Sequence, residues 1–306
     1  MKRRGAALVL VLGAVSILTV LAVELASRAS ADTLRTGRAA RDAAFRRLAD
    51  SGAEVARGLL LEREPREFVF WGDTWNRATN FRLADDERAE VVLADESGKI
   101  NLALAWRKPE ERGTVRARAV RLLEYLKRRE PQRLRALKEI EEKLLKRLAA
   151  HEPLVTLDGL RESGLSTEDV FGIQGLHRWV TCFGDGRLNL NTAPRAVIFA
   201  LDEGFDEAVV ERVAAFRGKG EGEKGSYKAF EEPKDLMLID GIVIRTFENG
   251  EFRVVRNLFE RVQGFLSVTS SAFSARVTCD VRGRSRDTWV FLKPDTTRLA
   301  VEEIVP

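Results

Sequence analysis

Hydrophobic and polar positions change period along the chain, and the changes divide it into parts. From Ala6 to Val23 eighteen residues carry no charge, and Lys2, Arg3 and Arg4 precede them. As a helix that run reaches about 27 Å, enough for a thin bilayer. The basic leader keeps the N-terminus cytoplasmic and exports the rest. Hydropathy leaves three readings open. One is a signal peptide cut after Ala29-Ser30-Ala31, another is a plain anchor, and the third is a segment processed at its near end. Beyond Glu24 the composition turns to Ala, Leu, Arg and Glu, all good helix formers, with no proline before Pro65. Ala43, Leu48, Val55 and Leu59 recur at helical spacing, giving one apolar side. The pattern predicts a single helix over 6–64, with 6–23 transmembrane.

After Pro65 the period shortens. Residues 68–71 and 90–93 are rich in β-branched and aromatic side chains and predict short strands. Asp95-Glu96-Ser97-Gly98 is a turn between two apolar runs, which alone predicts a hairpin. From Glu110 to Ala150 the helical period returns. Val120, Leu123 and Leu126, then Leu137, Ile140, Leu144 and Leu148, form stripes on two helices separated at Glu130-Pro131. Residues 154–242 read as short helices and turns: Ser166 caps one helix, and Thr192 caps another opening at Ala193-Pro194. A turn follows over Asp202 to Asp206, and a helical turn ends at Gly241. From Gly250 onward strands return, with a hairpin turn at Gly283-Arg284. A sheet begun over 65–106 therefore resumes over 250–306, with a helical unit, 107–249, inserted between its parts. The fold class is α+β.

Charge adds little. The 51 basic residues nearly cancel the 47 acidic ones, so the net of +4 gives no reason to expect nucleic acid. Cys182 and Cys279 fit no metal spacing; they pair if the body is exported, or remain two buried thiols. With only His151 and His177 and no nucleophile–base pair in view, no enzymatic chemistry and no cofactor are expected. The glycine-rich stretch over 218–225 lacks phosphate-loop spacing and reads as a loop. Asp185, Asn189 and Asn191 put oxygens near one turn, where capping roles compete with a calcium site.

Gly5 after a short basic leader, followed by an apolar run continuing into a long helix, resembles the type IV pilins and pseudopilins. The resemblance implies that residues 1–5 are a leader. A prepilin peptidase cuts between Gly5 and Ala6, and the new N-terminus is methylated. Most such pilins carry glutamate at the fifth mature position, which is Leu10 here. The stretch Asp95 to Leu102, D-E-S-G-K-I-N-L, is similar to a signature of the type II secretion minor pseudopilin GspK family, which also lacks that glutamate. The family usually continues with Asn where this chain has Ala103, and its Asp-Trp-rich motif is not found, which marks a divergent member. Residues 189–194, N-L-N-T-A-P, followed by helix, turn and helix, resemble helix-hairpin-helix or SAM-like modules and the inserted helical domain of GspK.

What the resemblance implies is a pilin-like fold, a long helix on an antiparallel sheet, with that domain inserted. It also implies a place in the inner membrane, a periplasmic body, a tip complex with the minor pseudopilins GspI and GspJ, and calcium as a structural ion. The rival is a membrane-anchored DNA receptor of the ComEA kind. Its hairpin would here be Asp202 to Phe205, where Asp202 and Glu203 oppose phosphate.

Overall fold

The computed structural model describes residues 2–62, 69–70, 77–218, 228–248, 251–294 and 298–304, without the side chains of 2–11, 14, 246–248, 251–253 and 298–304. Helix formers without proline give α1 (Lys2–Leu61), 60 residues long. From Val15 to Ala40 every residue of it is exposed. Its buried side is Ala44, Phe45, Leu48, Ala53, Ala56 and Leu60, whereas Ala43 is exposed and Val55 and Leu59 are half-buried. Leu48, Val55 and Leu59 of the predicted stripe thus pack on this core, and small residues beside them complete it. A carbon added at Gly52 would lie 2.4 Å from Val277 Cγ1, so glycine is what lets the helix axis approach the sheet. Among the described residues no helix is long and apolar enough to cross a membrane. Of the predicted span 6–23, the side chains at 6–11 and 14 lie outside those described.

α1 lies on a five-stranded antiparallel sheet in the order β1 (Thr79–Ala84), β2 (Glu87–Asp95), β9 (Phe273–Val281), β10 (Arg284–Leu292) and β11 (Arg298–Ile304). Alternation in the strands sends Ala89, Val91, Leu93, Ala275, Val277, Cys279, Val281, Val290 and Leu292 to the helix. Arg282 and Gly283, both at positive φ, make the tight turn from β9 to β10. The expected strand at 68–71 is described only at Val69 and Phe70, where Val69 N donates to Val268 O at 2.8 Å.

Between β2 and β9 the chain leaves the sheet and builds the inserted unit. It runs through β3 (Ile100–Asn101), α2 (Leu104–Arg107), α3 (Arg112–Arg129), α4 (Leu134–Ala149), α5 (Thr167–Phe171), β4 (Val180–Thr181) and β5 (Leu188–Asn189). It continues through α6 (Arg195–Ala200), α7 (Glu207–Phe216), β6 (Val243–Glu248), β7 (Glu251–Asn257), α8 (Leu258–Val262) and β8 (Leu266–Ser267). Pro131 breaks the long helical run into α3 and α4, and Leu123, Leu126, Leu137, Ile140, Leu144 and Leu148 form their shared core.

Two expectations are corrected here. The strand beginning after Gly250 forms, but among the described residues it pairs with β6 alone, so the main sheet resumes at Phe273. Ile242 and Leu258 bury in the core of the insert and hold that hairpin away from the sheet. The Asp95–Gly98 turn is not a hairpin: β3 runs parallel to β4, while β2 pairs with β9.

The sheet is a wall between two cores. Trp289 and Phe291, on the face of β10 opposite α1, belong to the core of the insert, and Phe291 stacks on Phe183 at 4.0 Å. The fold is thus the pilin arrangement with a helical unit set into its sheet.

Candidate functional site

The site grows from the end of β2. Asp95 is extended and accepts Ser97 N through Oδ1 at 2.8 Å, which caps the tight turn of Glu96–Gly98. Its Oδ2 accepts Thr192 Oγ1 at 2.5 Å, Ser270 Oγ at 2.6 Å and Asn189 Nδ2 at 3.0 Å. The carboxylate therefore joins the 95–102 stretch, the 189–194 stretch and the segment entering β9. Burial pushes the Asp95 carboxyl up to about 6, against the hydrogen bonds from Ser270, Thr192, the Ser97 amide and Asn189.

The neighbouring residues are fixed in the same way. Asn189 Oδ1 accepts Asn191 N at 3.0 Å. Asn191 brackets Phe230, accepting its N at 2.7 Å and donating to its O at 2.9 Å. Asn101 donates to Phe183 O at 2.8 Å and Gly184 O at 3.1 Å, and its Oδ1 accepts Ala103 N at 3.0 Å. Gly98 lies so close to Thr192 that an added carbon would sit 2.9 Å from Oγ1. Lys99 Nζ donates to buried Glu96 at 2.5 Å, and Ser274 Oγ donates to the same oxygen at 2.6 Å. Every contact of Asp95 is a donor, one on Oδ1 and three on Oδ2. The arrangement fastens three chain segments to one another.

Several predicted roles meet their outcome here. Ser166 caps α5 in a capping box with Asp169, and Asp206, expected as the end of a turn, also caps α7. Thr192 does not cap α6, which begins at Arg195 without a side-chain cap, because its hydroxyl is committed to Asp95. Asp185 lies at an exposed turn between Gly184 and Gly186, accepting Arg187 N at 3.0 Å and Ser271 Oγ at 3.1 Å. Asn189 and Asn191 are buried, with their oxygens taken by backbone amides. Asp185 thus bonds apart from Asn189 and Asn191, which are joined through the Asn191 amide. Among the described residues no group of three or more His, Cys, Asp or Glu is placed to hold a metal.

Cys182 and Cys279 are both buried, the first in the core of the insert and the second under α1. His151 is exposed. His177 is half-buried and held neutral, its pKa lowered to about 3 by burial foremost and then by Lys99, with Arg276 and Arg178 adding to it against a hydrogen bond to Val170 O. Gly5, Ala6 and Leu10 have helical backbone, and their side chains lie outside those described. In the Asp202–Phe205 turn, Arg261 pairs with Asp202 and Glu203, each at 2.9 Å, and Arg256 donates to Gly204 O.

No family model matches the chain, and no curated protein does. A solved structure does. A chain of the GspK-GspI-GspJ complex from the enterotoxigenic Escherichia coli Type 2 Secretion System superposes with a TM-score of 0.58, over 88% of this chain and 100% of that one. The identity is 16%, so the likeness is one of fold: long helix, antiparallel sheet and inserted helical unit.

Sequence reading singled out both segments that meet at Asp95 but missed that they meet. It also missed Ser270, whose hydroxyl closes the network from the far side of the insert. Nothing local in the sequence marks a serine for that role. The two asparagines and the aspartate carried the available signal: buried polar residues inside apolar runs need partners.

Proposed function

We propose that this chain is a minor pseudopilin of the GspK type in a type II secretion system, a divergent member of that family with a structural rather than catalytic role. In this reading prepilin peptidase cuts between Gly5 and Ala6. Residues 6–23 then cross the inner membrane with the N-terminus cytoplasmic and the body periplasmic. The observation that carries the reading is the division of α1. The part from Ala44 to Leu60 is packed on the sheet, and the part from Val15 to Ala40 is bare, with Leu18, Leu21 and Leu25 exposed. A helix that buries only its second half leaves the first for a membrane or for the apolar axis of a fibre.

The bulk of the insert suits the end of such a fibre, in a tip complex with GspI and GspJ, because it would obstruct a further subunit stacking above. No specific feature favours a DNA receptor. The acids of the Asp202–Phe205 turn stand where phosphate would have to approach, and Arg261 is already engaged with them. N-terminal sequencing of the processed protein tests the proposal directly. A mature chain starting at methylated Ala6, co-purifying with GspI and GspJ, is expected. A start at Asp32 would identify a secreted protein, an intact Met1 would leave a plain anchor, and either would overturn the pseudopilin reading.

A further inference from the structure

Where the insert meets the sheet, on the face away from α1, a cavity of about 460 Å³ remains open. One wall is the sheet, with Val92 and Arg276 facing each other across β2 and β9 and Trp289 beside them on β10. The other is the insert, with His177, Arg178 and Trp179. The volume falls in the range of ligand sites, and the lining combines aromatic surface with a few polar groups. The aromatic side is built up in layers. His177 meets Trp289 edge-on at 5.0 Å, and Phe171 backs both rings at 6.3 and 6.4 Å.

The charges around this cavity are unequal. Lys99, Arg178 and Arg276 stand against Asp95 and, behind Lys99, Glu96. Lys99 is paired with Glu96 through Oε1, and both oxygens of Asp95 are taken by four donors. Arg178 lies over the Trp179 ring, 5.4 Å from its centroid, and reaches the carbonyl of Ile173 at 3.5 Å. Among the described residues neither Arg178 nor half-buried Arg276 forms an ion pair. Two guanidiniums thus border an aromatic-walled recess in which neither is ion-paired. Because guanidinium presents a planar fork of donors, a carboxylate is the complementary group.

We propose that this cavity binds a carboxylate of a partner polypeptide, an acidic side chain flanked by an apolar one. A polypeptide rather than a small free acid is indicated by Ile173 in the lining, 87% exposed and the barest large hydrophobic of the described chain. Covering it needs a ligand that extends beyond the charged recess.

The test uses the full chain and a short peptide alternating glutamate with leucine, followed by calorimetry and by tryptophan fluorescence, since Trp179 and Trp289 are two of the five tryptophans. Its glutamine twin and free benzoate serve as the other arms. The acidic peptide is expected to bind at least about tenfold more tightly than the twin, and Arg178→Gln with Arg276→Gln is expected to abolish that margin. Ile173→Ser should weaken the peptide and leave benzoate unchanged. Arg178 is exposed, so Arg178→Gln alone keeps the test open if the double variant fails to fold. Equal binding of the glutamine twin, indifference to the arginine variants, no binding at all, or benzoate binding as tightly as the peptide would each overturn the proposal.

Discussion

At the scale of single residues, a carboxylate that is only 3% exposed normally needs a cation beside it, but Asp95 has four neutral donors instead. Those donors offset burial only in part, so its carboxyl keeps a proton up to about 6, against 3.8 ordinarily. Between these two values the folded chain holds a proton that the unfolded chain has released. The contribution of Asp95 to stability is therefore fully present below 3.8 and is lost as pH rises through about 6. Two pKa units correspond to about 3 kcal/mol. Asp95→Asn, which cannot titrate, should remove that dependence. Urea unfolding of both proteins across a pH series should show the wild type gaining about 3 kcal/mol over the variant as pH falls through the window. A difference that stays flat with pH would sink the assignment. The sequence made Asp95 visible as part of a turn, but its partners at Asn189, Thr192 and Ser270 come from distant segments that no local pattern connects.

At the scale of elements, legibility followed the range of the forces involved. The α1 helix and the α3–α4 pair were readable because Ala-, Leu- and Arg-rich runs and Pro131 act within a few residues. The face α1 buries was readable at Leu48, Val55 and Leu59, whereas the small residues Ala44, Gly52, Ala53 and Ala56, which bring helix and sheet together, gave no such signal. The Asp95–Gly98 turn was misread because β3 finds its partner at Val180, which a hairpin reading does not consider. A contrast between two glycines of α1 tests the packing argument. Gly52→Leu would drive side-chain atoms into Val277, whose Cγ1 and Cγ2 lie 2.4 and 2.9 Å from the first added carbon. A loss of about 1–3 kcal/mol is expected from overpacking. Gly58 has nothing within 4 Å, so Gly58→Ala should gain about 0.5–1 kcal/mol through helix propensity alone. Denaturant midpoints of the two variants moving the same way would contradict the close approach at Gly52.

At the scale of the whole molecule, the sheet couples two cores that the sequence presents as separate domains. On one side Phe45 and Leu48 hold α1 to β2 and β9; on the other Phe291 and Trp289 belong to the insert. Two surface contacts extend the helix side, Arg286 with Asp42 at 2.8 Å and Arg47 with Glu87 at 3.0 Å. Nothing buried precedes Ala44 among the described side chains, so a chain beginning at Arg38 should unfold at the temperature of the full protein. Removing the helix through Leu48 takes away Ala44, Phe45 and Leu48 together. Each of the two larger side chains alone is worth about 2–5 kcal/mol at a buried site. That loss should fall on the insert as well, because β9 and β10 form the wall of both cores and Phe291 stacks on Phe183 within the insert. Circular dichroism in the far ultraviolet and tryptophan fluorescence should then report one transition at lower temperature, with the cavity-lining Trp179 and Trp289 exposed along with the sheet. If the insert of the shorter chain kept its own transition at the original temperature, the two cores would be independent and the wall would transmit nothing.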